Sequence, residues 1–246
     1  MGNFAWERFR VKFSEGFEER KSWMKLVLDT ANLDKIKDYV AYLPVEGVTT
    51  NPSILKKAGK IDVVERLNAI QEVIGADKDL HVQVVAKDYQ GIVKDAHDIL
   101  EAVNDRVCVK IPVNKEGLQA IKTLKAEGVR ITATGIYSKI QALLAAELGA
   151  DFLAPYVNRM LNLDTDPYEV ISSVSYQLAR TNSATEILAA SFKNINQVTS
   201  ALEAGAQYVI VGDDVVDKFV DNANIQKAVT DFSADWTAIH ERDSFV

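Results

Sequence analysis

The chain has little of what secreted, metal-dependent or nucleic-acid-binding proteins rely on. Of its 246 residues only one is a cysteine, Cys108. A single thiol excludes an internal disulfide framework and fits a reducing compartment, so a cytoplasmic location is expected. Histidine is nearly as scarce. His81, His97 and His240 are widely spaced and lie beside no second cluster of ligand-type residues, so no metal site is expected from them. No apolar run is long enough to cross a bilayer, and no membrane role is expected. The net charge is -7 and the basic residues form no stripe, which argues against a nucleic-acid partner. The G-x-G-x-x-G fingerprint of dinucleotide-binding folds is absent after the first apolar run.

What remains is an ordinary globular composition, 48% hydrophobic and 26% charged. Residues 1–23 differ in texture from the rest. Trp6, Phe9, Phe13 and Phe17 recur there at helical spacing among charges, without the continuous apolar core of a signal peptide. This segment reads as an extension, either an amphipathic docking helix or a dispensable leader from an upstream start. Met24 directly precedes the first strand-like run. The expected division is therefore an N-terminal extension, 1–23, and a catalytic domain, 24–246.

From Met24 onward short apolar runs alternate with amphipathic stretches. The runs are KLVLDT, GVTT, HVQVV, RVCVKIPV, VRITATG, ADFLAPYV, EILAAS and YVIVGDD. Several of the stretches between them end in glycine, at Gly128, Gly149 and Gly205, as helices do before turning into a strand. This alternation implies a parallel sheet, and about eight such units suit a (β/α)8 barrel. An open doubly wound sheet is the alternative. The last segment reads as an additional C-terminal helix with Phe232, Trp236 and Ile239 on one face. It would cover the bottom of the barrel or reach a neighbouring subunit.

Strands of a parallel barrel are covered on both faces and should be almost wholly apolar. Polar residues at their C-terminal ends are therefore informative, because barrel active sites lie at that end. Reading each run there gives Asp29; Thr49, Thr50 and Asn51; Gln83; Lys110; Thr134; Tyr156, Asn158 and Arg159; Ser191; and Asp213 with Asp214. Each has a structural alternative. Asp29 could form an Asx-turn or cap, Asn51 could start a turn before Pro52 with Ser53 as the cap, and Asp213 or Asp214 could cap the helix containing Val215. Arg159 could be a solvated loop residue.

Lys110, inside VCVKIPV, is the least ordinary of these. A lysine is rarely buried without a partner, and burial pushes its amine toward the neutral, nucleophilic form that attacks carbonyls. The alternative is a strand-end lysine that reaches back to water. Period-two alternation places Cys108 on the same face as Lys110, one layer deeper, and pairs His81 with Gln83 on the preceding strand.

The segments LDT, GVTTNPS, VKIPV, APYVNR and AASFK, spread from Met24 to the C-terminal region, resemble the transaldolase family. The likeness is to its small branch, which includes fructose-6-phosphate aldolase. The resemblance implies a (β/α)8 barrel and class I aldol chemistry without metal or cofactor. It also implies dihydroxyacetone-type and sugar-phosphate substrates. Lys110 would be the Schiff-base lysine and Asp29 the acidic residue of the first strand, with Thr49 and Asn51 matching the second-strand motif. Gln83, Thr134 and Tyr156 would hold a proton-shuttling water, and Arg159 and Ser191 the phosphate. Transaldolases tend to carry Glu and Phe where this chain has Gln83 and Tyr156, so the resemblance favours the aldolase over group transfer. It further implies a homo-oligomer, a pentamer or decamer, with the terminal helix packed on a neighbour. The chain departs from the aldolase pattern at His81, where a phenylalanine is expected, in the ATG before Ile136, and in residues 1–23. A non-catalytic sugar-phosphate binding protein is the reading from another class; it would not need an inward lysine.

Overall fold

The computed structural model describes residues 24–245. The expectations for residues 1–23 lie outside the described residues. The chain runs β1 (Lys25–Asp29), α1 (Leu33–Tyr42), β2 (Val45–Thr49), α2 (Pro52–Lys57), α3 (Val63–Ile74), β3 (Asp79–Gln83), α4 (Tyr89–Ala102), β4 (Cys108–Pro112), α5 (Lys115–Ala126) and β5 (Ile131–Ile136). It continues through α6 (Lys139–Glu147), β6 (Phe152–Pro155), α7 (Val157–Leu161), α8 (Pro167–Arg180), β7 (Glu186–Ala189), α9 (Ile195–Glu203), β8 (Tyr208–Val211), α10 (Asp213–Val216) and α11 (Ala223–His240). All eight apolar runs are strands. Each pairs in parallel with its sequence neighbours, and β8 returns to β1 with Leu26 opposite Val209 and Leu28 opposite Val211. That closure makes the sheet a (β/α)8 barrel and removes the open-sheet alternative.

Alternation along each strand divides the apolar residues between two cores. One set, including Leu26, Leu28, Val48, Ile111 and Ile131, faces the helices. The other fills the lumen: Val27, Cys108, Phe152, Ala154, Leu188, Tyr208 and Ile210. Below that filling, at the N-terminal end of the strands, charges close the floor. Lys25 pairs with Glu186 at 3.0 Å and Arg130 with Asp79 at 2.8 Å. Above it lies the polar site layer. The barrel is thus plugged, and only its C-terminal mouth is open for chemistry.

Turns follow the local rules. Gly128, Gly149 and Gly205 all have positive φ, at 82°, 87° and 106°. Inside β5, Gly135 has φ 70°, and the register to β6 shifts between Thr134 and Ile136. This bulge, in the ATG segment that departs from the family pattern, sets the end of β5 where Thr134 meets β6. The C-terminal helix does not cover the barrel floor. None of its residues is buried, and Ile225, Val229, Phe232 and Ile239 are 50–75% exposed.

Candidate active site

The closed register decides which side chains meet. Gln83 on β3 lies opposite Lys110 on β4, and Asp29 on β1 lies opposite Thr49 on β2. A cleft of about 1100 Å³ opens over them, lined by Asp29, Asn51, Gln83, Lys110, Tyr156, Arg159 and Ser191 among others. The two remaining sequence-predicted residues sit just behind this wall, each bonded to a residue in it. Thr49 accepts a 2.5 Å hydrogen bond from Lys110 Nζ, and Thr134 is 2.9 Å from the Tyr156 hydroxyl. All nine residues predicted to form the site converge.

Lys110 is 4% exposed and does not reach back to water. Burial lowers its amine below the ordinary lysine value, and the carboxylate of Asp29 opposes that shift. Burial raises Asp29 above the usual carboxylate range, while the charges of Lys110 and Lys57 pull it down. Desolvation thus favours the neutral form of each group, against the attraction between their charges. Asp29 caps nothing: α1 is capped by Asn32, whose Oδ1 accepts from the amides of Asp34 and Lys35. One Asp29 oxygen, Oδ1, is buried without a hydrogen-bond partner among the described residues.

Asn51 does two things at once. Its Oδ1 accepts from the amides of Ser53 and Ile54 at 2.9 and 3.1 Å, so Asn51, not Ser53, caps α2. The residue also lines the cleft. Tyr156 is raised above the ordinary phenol value by burial, against the Thr134 hydrogen bond and the charge of Arg159. It therefore holds its proton at neutral pH. The Arg159 guanidinium stacks 4.6 Å over the Tyr156 ring and is 3.3 Å from the Tyr137 hydroxyl, with much of its donor array free at the exposed mouth. Ser191 has φ 67°, an uncommon conformation for a non-glycine residue, beside Arg159 at the end of β7. Gln83 makes no side-chain hydrogen bond to Thr134 or Tyr156 among the described residues.

The sequence left out three further cations of this wall: Lys57, Arg66 and Lys193. Only Lys193, two residues beyond Ser191 in AASFK, carried a usable signal. The other two come from the long β2–β3 connection, whose path is set by packing. Two expectations are corrected. Neither Asp213 nor Asp214 caps α10; its N-cap is Gly212, without a side-chain cap. His81 is also less isolated than its spacing suggests, because the barrel brings Asp79 and Cys108 within 4.8 Å of it. Asp79 is also paired with Arg130, and burial pushes the Cys108 thiol well above its ordinary value.

His81 lies beneath the site. Its Nδ1 is 2.8 Å from the Thr132 hydroxyl and its ring meets Phe152 edge-on at 5.2 Å. Burial lowers its pKa to about 3. A folded pKa below the ordinary 6.5 contributes stability that is present above pH 6.5 and is lost as pH falls toward 3. The loss should amount to about 1.4 kcal/mol per pH unit over that window. His81→Phe is therefore expected to flatten the acid limb of unfolding free energy, measured by denaturant titration from pH 6.5 to 4. An unchanged slope would show that His81 charges freely in the folded state.

Comparison with known proteins identifies the family. The family model described as Transaldolase/Fructose-6-phosphate aldolase matches residues 26–244. A Streptococcus pneumoniae protein named probable fructose-6-phosphate aldolase is 50% identical over 221 residues, covering 90% of this chain and 100% of that protein. A Methanococcus maripaludis protein named probable transaldolase is 37% identical over 215 residues, covering 87% of this chain and 98% of its own length. A Methanococcus vannielii protein of the same name is 35% identical over the same span. With the family model spanning residues 26–244 and these relatives matched over nearly their whole lengths, this chain belongs to the transaldolase/fructose-6-phosphate aldolase family.

Proposed function

We propose that this chain is a class I aldolase that cleaves fructose 6-phosphate to dihydroxyacetone and glyceraldehyde 3-phosphate, and runs the reverse addition. The observation that carries the reading is Lys110, buried, depressed toward the neutral amine and held at 2.5 Å by Thr49. The neutral amine attacks the ketose carbonyl carbon, and loss of water leaves an iminium ion. Removal of the proton from the hydroxyl on the far carbon of the scissile bond lets that carbon–carbon bond break, and that oxygen becomes the aldehyde oxygen. Its electrons move to the iminium nitrogen, giving an enamine and a free aldehyde. Protonation of the enamine carbon and hydrolysis return Lys110 and release dihydroxyacetone.

Roles for the other residues follow from what each touches. Thr49 positions the amine. Asp29 exchanges a proton with Lys110 or with substrate hydroxyls, and Asn51 offers its free amide to those hydroxyls. Tyr156, backed by Thr134 and facing Gln83 across the cleft, is the proton shuttle, acting through a water. Arg159 and Ser191 take the phosphate through charge-assisted hydrogen bonds. Transfer of the dihydroxyacetone unit to a second aldose phosphate is the second reading, favoured by the names of the Methanococcus relatives. Gln83 and Tyr156, where transaldolases tend to carry Glu and Phe, support release to water instead. The deciding assay follows free dihydroxyacetone from fructose 6-phosphate, with and without erythrose 4-phosphate. Release without the second sugar is the expected result; dependence on it would replace aldolase by transaldolase.

We further propose that α11 packs on a second copy of the chain in a cytoplasmic homo-oligomer. Ile225, Val229, Phe232, Trp236 and Ile239 recur at intervals of three and four along it, and all but Trp236, half-buried against His240 and Phe245, stay exposed. Light scattering should give a multiple of the 27.2 kDa chain. Phe232→Glu should lower that mass, and a monomeric wild type would remove the proposal.

A further inference from the structure

Asp213 stands at the end of β8, beside β1 in the closed barrel, and lines the same cleft as Asp29 and Lys110. Its sequence position suits a helix cap, yet it caps nothing. Its Oδ2 is anchored by the Thr30 hydroxyl at 2.9 Å. Its Oδ1 is buried and has no hydrogen-bond partner among the described residues, the same condition as Asp29 Oδ1 on the neighbouring strand. Lys35 acts on Asp213 from a distance, but its ammonium is spent on both oxygens of Asp217 at 3.0 Å. Buried carboxylate oxygens without donors are costly, and native structures keep few of them. Two such oxygens on adjacent strands of one cleft wall mark a place where a ligand supplies the donors.

The chemistry of that ligand is constrained by its surroundings. Two carboxylates repel phosphate, whereas a hydroxyl satisfies a carboxylate oxygen directly. In an eight-stranded ring, β8 lies across from β4, which bears Lys110, while Arg159 and Ser191 follow β6 and β7. A sugar joined to Lys110 by its carbonyl carbon therefore has the β8–β1 wall facing it across the cleft into which its remaining carbons extend. Those carbons carry the hydroxyls of the aldehyde half.

We propose that Asp213 is a specificity-determining residue, accepting a hydrogen bond from the hydroxyl next to the carbonyl of the aldehyde substrate and so selecting α-hydroxyaldehydes. The proposal rests on the aldolase reading above. Its test compares addition of dihydroxyacetone to glyceraldehyde with addition to 3-hydroxypropanal, which lacks only that hydroxyl. Wild type, Asp213→Asn and Asp213→Leu are measured, with borohydride trapping of dihydroxyacetone in each. The ratio of kcat/KM for the two aldehydes is expected to fall about tenfold in Asp213→Leu, the scale of a hydrogen bond to a charged group. It should fall severalfold in Asp213→Asn, which keeps the shape and loses the charge. A ratio does not depend on how much enzyme is folded, and if the leucine variant does not fold, the asparagine variant decides. Trapping with an unchanged ratio overturns the role of Asp213 alone. A wild type that traps no adduct overturns the aldolase reading, and this proposal with it.

Discussion

Lys110→Ala is expected to abolish the covalent adduct that borohydride traps with dihydroxyacetone or fructose 6-phosphate, and to lower turnover by roughly 10⁴-fold or more, as removal of a nucleophile does elsewhere. The physical basis is specific to this lysine. A solvated lysine is protonated at neutral pH and attacks nothing. Lys110 is held out of water, so its charged form loses hydration and the neutral form gains population. Thr49 holds Nζ in place at 2.5 Å, so the amine is oriented before substrate arrives. The Asp29 carboxylate opposes the shift toward the neutral form by favouring the charged amine. Lys110→Arg makes the sharper control. It keeps a cation near Asp29 but cannot be deprotonated, so it should be as inactive as alanine. Mass spectrometry after reduction checks the adduct directly. An adduct that survives in Lys110→Ala would move the Schiff base to another lysine, and the lysines at the cleft mouth, Lys57 and Lys193, would be the ones to examine.

Tyr156→Phe is expected to slow release of dihydroxyacetone by about 10²-fold or more, the usual worth of a positioned general acid or base. Trapping by borohydride should persist, because Lys110 and its Thr49 contact are untouched. The substitution removes one oxygen and leaves the ring, so the stacking of Arg159 at 4.6 Å can remain. What it loses is the proton held above the ordinary phenol value by burial and shared with Thr134 at 2.9 Å. An enamine that is not protonated promptly is available to attack a second aldehyde. Transfer to erythrose 4-phosphate should therefore suffer less than release to water. The measurement is the partition between the two products with both sugars present. Equal losses in both would assign Tyr156 to carbon–carbon cleavage itself, and no loss would remove it from the shuttle.

The two variants probe residues that differ in how readable they were. Lys110 stood out by itself, since an inward lysine in an apolar strand conflicts with the period-two pattern around it. Tyr156 follows β6 at the edge of α7 and has no such pattern. It became a site residue through its position in APYVNR and through the Thr134 contact that a bulge at Gly135 sets up. Asn51 shows how a local role and a place in the cleft coincide: its oxygen caps α2, as the N-P-S sequence favours, and the residue also lines the cleft.

Local order, accordingly, was determined by the sequence alone. Eight apolar runs, the amphipathic stretches between them and the glycines at Gly128, Gly149 and Gly205 specify strands, helices and turns through interactions spanning a few residues. Period-two alternation also set which strand residues face the lumen, including Cys108 beneath Lys110. Only the tertiary structure decided what those residues meet. Closure of β8 on β1 places Asp213 beside Asp29, although 184 positions separate them in the sequence. The barrel's stagger brings His81 to Thr132 and gathers Asp79 and Cys108 around it. The free course of α11 leaves its apolar face open. In each case the deciding term is long-range packing and ring closure, which no short-range pattern encodes.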